Sequence, residues 1–488
     1  MTSAALDPLV WLILLPMFWA TLAFLLGPGR GAWLAIIGIA LQLGLALALA
    51  GRLLAGGMPV HPVGGWGAPL GIDLAVDGLA ATMLLLTQVV ALPLAVYARS
   101  YFTGDSSERR FFWPLVGFLL AAMNALFVSA DLFNLYVTLE LLGLAAVGLV
   151  ATGGKVGQTA AALRYLLSTL VGSGAYLLGV ALIYGAYGSV SLSTLAPLID
   201  GQAPAAVHLA AGLMLVGLTV KTALFPFHFW LPPAHGGTPA PVSALLSALV
   251  VKASYYLILR LWLGILAPLL APGAAVAWLA GLLGAGAILW GSFKAIGTGK
   301  LKMLVAYSTV AQIGYLFIVF PLLGRTSPVD AALQGSVLHA VAHALAKSAM
   351  FTAAGVLVKA TGQETIDGLA GVAARLPLTL FAFALAGVTL MGLPPSAGFL
   401  AKWLLIGAAI KQGQWLLVAV ILAGGLMAAA YIFRVLRHAF LPAPVAVSFR
   451  PVPLMLEWVA FGLAASSVLL GLRGMEILRL LAAGGSSS

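Results

Sequence analysis

An all-α polytopic membrane protein of about fourteen transmembrane helices is the fold class that this 488-residue chain predicts. Three observations carry the prediction. Hydrophobic residues make up 62% of the sequence and charged residues only 8%, where a soluble domain carries roughly 25%, and the mean hydropathy is +1.11. Apolar runs of about twenty residues recur from Leu9 to Leu481, each long enough at about 1.5 Å per residue to cross a hydrocarbon layer of about 30 Å. The basic residues between the runs alternate sides: Arg30, Arg99, Arg109, Arg110, Lys155, Lys294, Lys300, Lys302, Lys359, Arg375, Arg434, Arg437 and Arg450 fall on one, and only Arg52, Arg325, Lys411, Arg473 and Arg479 on the other. Positive loops stay in the cytoplasm, so both termini are expected outside.

The first run, 9–27, lacks the basic start of a signal peptide and has Arg30 after it, so it reads as an uncleaved span. Runs 32–55 and 78–98 follow, separated by Val60 to Asp77, where Gly, Pro and short alternation predict a small outward hairpin. Five more spans are expected at 111–129, 132–152, 159–187, 206–231 and 240–267. Another six are expected at 273–294, 302–323, 331–358, 376–411 with an internal break, 414–440 and 453–481. The spacing of Gly281 and Gly286 lies inside an apolar run with no strand before it, which indicates close helix packing rather than a nucleotide loop. The closing GGSSS reads as a tail without function.

The net charge of +11 could point to nucleic acid, but the charges are scattered between spans rather than gathered in a basic patch. There are no cysteines, which excludes disulfides, cysteine-ligated zinc and standard iron–sulfur clusters. Redox chemistry, if the protein serves it, is expected on another subunit, and no cofactor is expected here.

The informative residues are the ionisable ones left inside the spans. A charge at the bilayer centre costs about 2.5 to 3.5 kcal/mol on insertion scales. Lys221, Lys252, Lys347 and Lys402 therefore cost on the order of 12 kcal/mol together, comparable to the stability of a whole domain. Such a cost needs a functional reason. Glu140 follows the expected helix start at Asp131 by nine residues, which puts it about 13 Å deep, near the midplane. The same reckoning places the four lysines at similar depth, as a lateral row. Arg164 and Arg260 lie nearer helix ends, where long side chains reach the interface.

His339, His343 and Lys347 repeat at i, i+4 and i+8, along one helix face. Imidazole gains and loses protons near neutral pH, so this stripe is suited to passing them. A metal site is the competing reading, but no third ligand accompanies the pair as the glutamate of HExxH would. Pro226 follows Lys221, and Pro394 and Pro395 precede Lys402. Broken helices beside buried charges mark transporter sites, because freed carbonyls and half-helix ends accept ions or water.

The segments DLFNLYVTLELLGL around Glu140, KTALFPFHFWLP from Lys221, PAPVSALLSALVVK ending at Lys252, KMLVAYSTVAQIGY from Lys302, HAVAHALAKSAMF around His343 and GLPPSAGFLAKW ending at Lys402 resemble the antiporter-like subunits shared by respiratory complex I, membrane-bound hydrogenases and Mrp-type cation/proton antiporters. The resemblance implies two inverted five-helix repeats, each with a broken helix, at 111–267 and 273–440, flanked by three spans and the hairpin in 1–110 and by the last span and tail in 441–488. It also implies roles: Glu140 and Lys221 as a charge pair, Lys252 as the link to the centre, His339, His343 and Lys347 as the middle relay, and Lys402 as the outlet. Gln312, Asp131, His228 and Ser308 are candidate relay or lining residues.

Lys402 where some complex I subunits carry glutamate, Lys347 where some carry none, and Gln312 where some carry histidine favour the kind of subunit found as the D-type subunit of Mrp antiporters or as the distal subunit of complex I; the distal subunit normally continues into a long lateral helix and extra spans, which favours the Mrp D-type here. The resemblance then implies exchange of a monovalent cation, Na⁺ or another, for protons by a hetero-oligomer in a bacterial or archaeal inner membrane. The partners implied are other membrane subunits and lipid. The alternatives are a proton-pumping subunit of an NADH-quinone oxidoreductase or hydrogenase, and a membrane subunit of an inorganic-carbon uptake complex.

Overall fold

The computed structural model describes residues 7–269, 275–323, 330–442 and 449–484. Arg325, residues 273–274 of the ninth expected span and all but the first residue of the GGSSS tail lie outside the described residues. Among the described residues twelve helices are long and apolar enough to cross a membrane, or thirteen if the bent pair Asp367–Arg375 and Pro377–Met391 counts as one span.

That count is lower than the expected fourteen, and two places account for the difference. Helix α1 (Pro8–Leu54) runs for 47 residues but contains Gly27 at φ 78°, followed by Pro28. Gly38 packs on the Trp19 indole and Gly31 on Ala23. Residues nineteen apart in a straight helix would be about 28 Å from each other, so α1 is a hairpin of two antiparallel helices. Only glycine adopts this left-handed turn without strain. Residues 376–411, expected as one span with an internal break, form two helices of 15 residues each, α12 (Pro377–Met391) and α13 (Ala397–Lys411).

Between α1 and α2 (Gly78–Tyr101) the expected hairpin is present, with β1 (Val60–Pro62) antiparallel to β2 (Asp73–Ala75) and His61 opposite Leu74. Asp77 caps α2 by accepting from the Ala80 N–H at 2.9 Å, and its carboxylate pairs with Arg260. Next come α3 (Ser107–Val128), α4 (Leu132–Ala151), α5 (Val156–Tyr187) and α6 (Ala205–Thr222). A short helix, α7 (Leu231–Gly236), precedes α8 (Ala240–Leu269), α9 (Ala275–Gly297), α10 (Leu301–Leu322) and α11 (Ala331–Thr361). After α12 and α13 the chain forms α14 (Trp415–Ala439), α15 (Leu454–Leu472) and α16 (Gly474–Ala482). The last span, expected to reach residue 481, stops at Leu472. The chain turns at Arg473, and α16 folds back over α2, where Gly78 donates to the Ala483 carbonyl at 3.0 Å.

Two helices form the centre: α8 is 100% buried over its most apolar stretch and α11 is 94% buried. Around them α5 and α14 turn Leu163, Leu167, Val171, Leu422, Leu426 and Phe433 outward, an apolar surface suited to lipid or to another subunit. Small residues let the outer helices touch backbone to backbone. A Cβ on Gly172 would lie 2.6 Å from the Gly217 carbonyl, and one on Gly284 2.7 Å from that of Gly314. The innermost helices thus carry the residues that are costliest to bury, and the site follows from that placement.

Candidate functional site

The row begins where α4 meets α6. Lys221 Nζ lies 2.6 Å from Glu140 Oε1 and 3.5 Å from the Leu139 carbonyl, and Ser173 of α5 donates to the same carboxylate oxygen. The lysine side chain is 4% exposed and the glutamate 19%, so the glutamate lies at the edge of the bundle. Helix α6 ends one residue later because Ala223 takes a left-handed conformation, φ 57°, and Pro226 offers no N–H to continue the ladder. The Trp230 indole donates to the Val220 carbonyl at 3.0 Å and so satisfies one acceptor at the break.

From this pair the next polar step crosses to α8, where the hydroxyls of Thr222 and Ser254 are 3.0 Å apart. Lys252, fully buried, donates to the Ser247 carbonyl at 2.5 Å. That carbonyl belongs to a π-helical turn, Leu246–Val250, whose wider spacing breaks the regular ladder. The Ser247 hydroxyl lies 2.8 Å from that of Thr309 on α10. On the same helix the Val305 carbonyl, at 2.9 Å, and the Ser308 hydroxyl accept from Lys347 of α11. Ser308, one of the candidate lining residues, thus touches Lys347.

Along α11 the rings of His339 and His343 lie 5.9 Å apart and 9° from parallel. His339 Nε2 is 3.1 Å from the Gln312 carbonyl. Its Nδ1 and both nitrogens of His343 have no partner among the described residues. The Tyr315 ring lies 5.1 Å from that of His339, and Lys402 Nζ lies 4.2 Å from the ring centre. Lys402 donates to the Leu390 carbonyl at 2.7 Å and to that of Met391 at 3.2 Å. These carbonyls end α12 just before Gly392, at φ 83°, and the Pro394–Pro395 pair. Gln312 also donates to Leu390, at 3.4 Å.

All seven residues expected in the row therefore lie between the edge of α4 and the break beside α13, on helices joined by hydroxyls, carbonyls and rings. Of the four lysines in the row, only Lys221 has a carboxylate partner among the described residues; Lys252, Lys347 and Lys402 rest on carbonyl or hydroxyl dipoles. Two expected lining residues stand apart. Asp131 caps α4 by accepting from the Asn134 N–H at 2.7 Å, and burial, only partly offset by backbone N–H donors, pushes its carboxyl above the ordinary range. His228 stacks on Phe225 at 5.6 Å and lines an outer cavity of about 360 Å³ with Trp290, Lys294 and Tyr307.

Sequence reasoning misses the bridging hydroxyls, and it misses His235, which is 1% exposed beside Phe351 and whose Nδ1 has no partner among the described residues. Lys302, expected in a loop, turns inward and donates to the Thr238 carbonyl. Hydroxyl residues one or two positions from a buried lysine, as in Lys221–Thr222 and Lys252–Ser254, are the signal that could find the first group.

Known proteins resemble this chain over nearly its whole length. Residues 129–428 match the family described as NADH:quinone oxidoreductase/Mrp antiporter, TM, and residues 66–112 that described as NADH-Ubiquinone oxidoreductase (complex I), chain 5 N-terminus. The NADH-quinone oxidoreductase subunit N of Desulforudis audaxviator is 37% identical over 456 residues, covering 91% of this chain and 89% of that protein. The D-type subunit of the Na⁺/H⁺ antiporter of Bacillus subtilis is 30% identical, covering 79% and 76%. Among solved structures, a chain of the Mrp complex from Dietzia superposes with a TM-score of 0.90 at 26% identity, covering 98% of this chain and 96% of that one. A chain of respiratory complex I from Thermus thermophilus superposes with a TM-score of 0.77 at 28% identity, covering 98% and 100%.

Proposed function

The chain belongs to the NADH:quinone oxidoreductase/Mrp antiporter transmembrane family, and on that footing we propose that it is the proton-translocating subunit of a multisubunit Mrp-type monovalent cation/proton antiporter. It is a multi-pass membrane subunit of the Mrp or complex I-like kind. The observation that supports the proton-path reading is the set of ionisable side chains held inside the bundle from Glu140 to Lys402, with a carboxylate–lysine pair at the Glu140 end.

In this reading the chain crosses an inner membrane of a bacterium or archaeon fourteen times. The α1 hairpin counts as two crossings and α12 with α13 as one broken crossing, both termini are outside, and 111–267 and 273–440 form inverted repeats. The distribution of Lys and Arg supports the orientation. Glu140 and Lys221 work as a switch. While paired at 2.6 Å the carboxylate favours the charged ammonium. When the pair separates, that support is lost, and the proton passes by Thr222 and Ser254 toward Lys252. At Lys252, Lys347 and Lys402 the ammonium has dipoles but no counter-charge, so each holds a proton in transit rather than storing it. The unpartnered nitrogens of His343 and His339 carry it along α11.

Inverted vesicles containing the assembled complex test this reading. Added Na⁺ or K⁺ should collapse a preformed pH gradient, and Lys221→Ala should abolish the collapse; an intact collapse in that variant would refute the path. The alternative is a proton-pumping subunit of an NADH-quinone oxidoreductase, supported by the 37% identity to a subunit N. Flavin or iron–sulfur proteins purifying with the chain would favour it, whereas small hydrophobic subunits without cofactors would favour the antiporter.

A further inference from the structure

At the turn of the α1 hairpin, away from the row, a cavity of about 290 Å³ opens between α1, α2 and α3. Its walls include Trp33, Arg99, Phe102, Arg109 and Trp113, and its floor lies beside Pro28 and Gly29. The Arg99 guanidinium is stacked 4.2 Å from the centre of the Trp33 ring, an arrangement that fixes the plane of the cation and leaves its N–H edge free. Arg109 spends one N–H on the Gly104 carbonyl at 2.7 Å. Among the described residues neither arginine has a carboxylate within ion-pair distance, although Asp105 and Glu108 lie in the same turn. Trp113 is 1% exposed, and its indole N–H has no acceptor among the described residues. A buried donor without an acceptor is unfavourable, and a ligand oxygen would relieve it. The cavity therefore adjoins two arginines without a carboxylate partner and the buried Trp113 indole, whose N–H is unused.

We propose that this cavity binds the phosphodiester of an anionic phospholipid. Phosphate oxygens suit the planar N–H edge of Arg99, the remaining donors of Arg109 and the N–H of Trp113. The surroundings favour a lipid over free phosphate: Trp33 is 52% exposed beside the cavity, and Leu25 and Leu26 of the same hairpin are 70% and 46% exposed, an apolar flank on which acyl chains would lie. The site is at the end of the bundle richest in Lys and Arg, where anionic headgroups are held most strongly. A lipid seated there would tie the two halves of α1 to α2 and α3.

The test uses the assembled complex, purified in detergent and examined by native mass spectrometry after exchange into phosphatidylglycerol or phosphatidylcholine. Wild type should retain one phosphatidylglycerol per copy of this chain more than the Arg99→Gln/Arg109→Gln variant does. Affinity at the site should fall about fivefold for each arginine removed. Trp113→Phe should weaken retention without changing the thermal unfolding of the delipidated complex. If the double variant does not assemble, the comparison of the two lipids on wild type and on Trp113→Phe still decides. Equal retention of phosphatidylcholine, an unchanged lipid count in the variants, or equal stabilisation by inorganic phosphate alone would each overturn the proposal.

Discussion

The hydroxyls of Thr222 and Ser254 lie 3.0 Å apart across the α6–α8 interface, a hydrogen-bonded step between the Glu140–Lys221 pair and the helix that carries Lys252. Each follows a lysine of the row by one or two residues, and the step between them depends on an oxygen that valine lacks. Thr222→Val keeps the shape and removes the hydroxyl. Proton flux in vesicles should fall about tenfold, the equivalent of one lost hydrogen bond at about 1.4 kcal/mol, with folding little changed. Flux at the wild-type level would show that the proton crosses elsewhere.

Removing one member of the pair at the edge of α4 strands the other in a poor solvent. Glu140→Gln and Lys221→Met should each cost about 3 to 5 kcal/mol of stability. The double variant should cost less than the two together, because neither charge is left alone. Denaturant unfolding in detergent measures all three, and additive losses would contradict the coupling.

Tyr315 offers Lys402 the face of its ring at 4.2 Å, while its hydroxyl donates to the Ile421 carbonyl at 3.2 Å. The two functions separate on substitution. Tyr315→Phe keeps the ring and should leave transport within about twofold, whereas Tyr315→Leu should lose about 1 to 2 kcal/mol of support for the ammonium and slow transport about tenfold. The reverse ranking would assign the role to the hydroxyl.

Asp77 gives an acid-stability prediction. Burial alone would raise its carboxyl, but the Arg260 charge and hydrogen bonds, with the Ala80 N–H, outweigh burial and hold it below the ordinary value of 3.8. A depressed carboxyl stabilises the fold above its unfolded value and stops doing so as pH falls through the folded one. Wild type should therefore lose stability below about pH 4, and Asp77→Asn should be weaker at neutral pH with a flatter acid limb. Thermal unfolding of the purified chain between pH 3 and 7 reads both slopes.

Much of this is legible in the sequence because burial in lipid is so restrictive. The apolar runs, the hairpin before α2, the capping at Asp131 and the buried lysines all show themselves in one dimension. The end of the last span does not, since hydropathy does not register the fold-back at Arg473. The bridging hydroxyls are illegible for another reason. A serine or threonine within a helix ordinarily bonds the carbonyl one turn back, as Thr222 does to Leu218 at 2.7 Å, and nothing in the sequence says that its oxygen also meets Ser254. Lys302 is misplaced because its helix starts in the rim while its side chain reaches the Thr238 carbonyl inside.

His339, His343 and Lys347 ride on one unbroken helix of 31 residues, Ala331–Thr361. A continuous helix fixes the rise between successive groups at about 6 Å, so this part of the molecule is a ruler whose graduations move together or not at all. Any sliding of α11 that brings His343 closer to Gln312 takes His339 away from it by the same amount. Changes in the length of the row must therefore arise outside α11, as at the backbone interruptions of Ala223 and Gly392 or the π-helical turn beside Lys252.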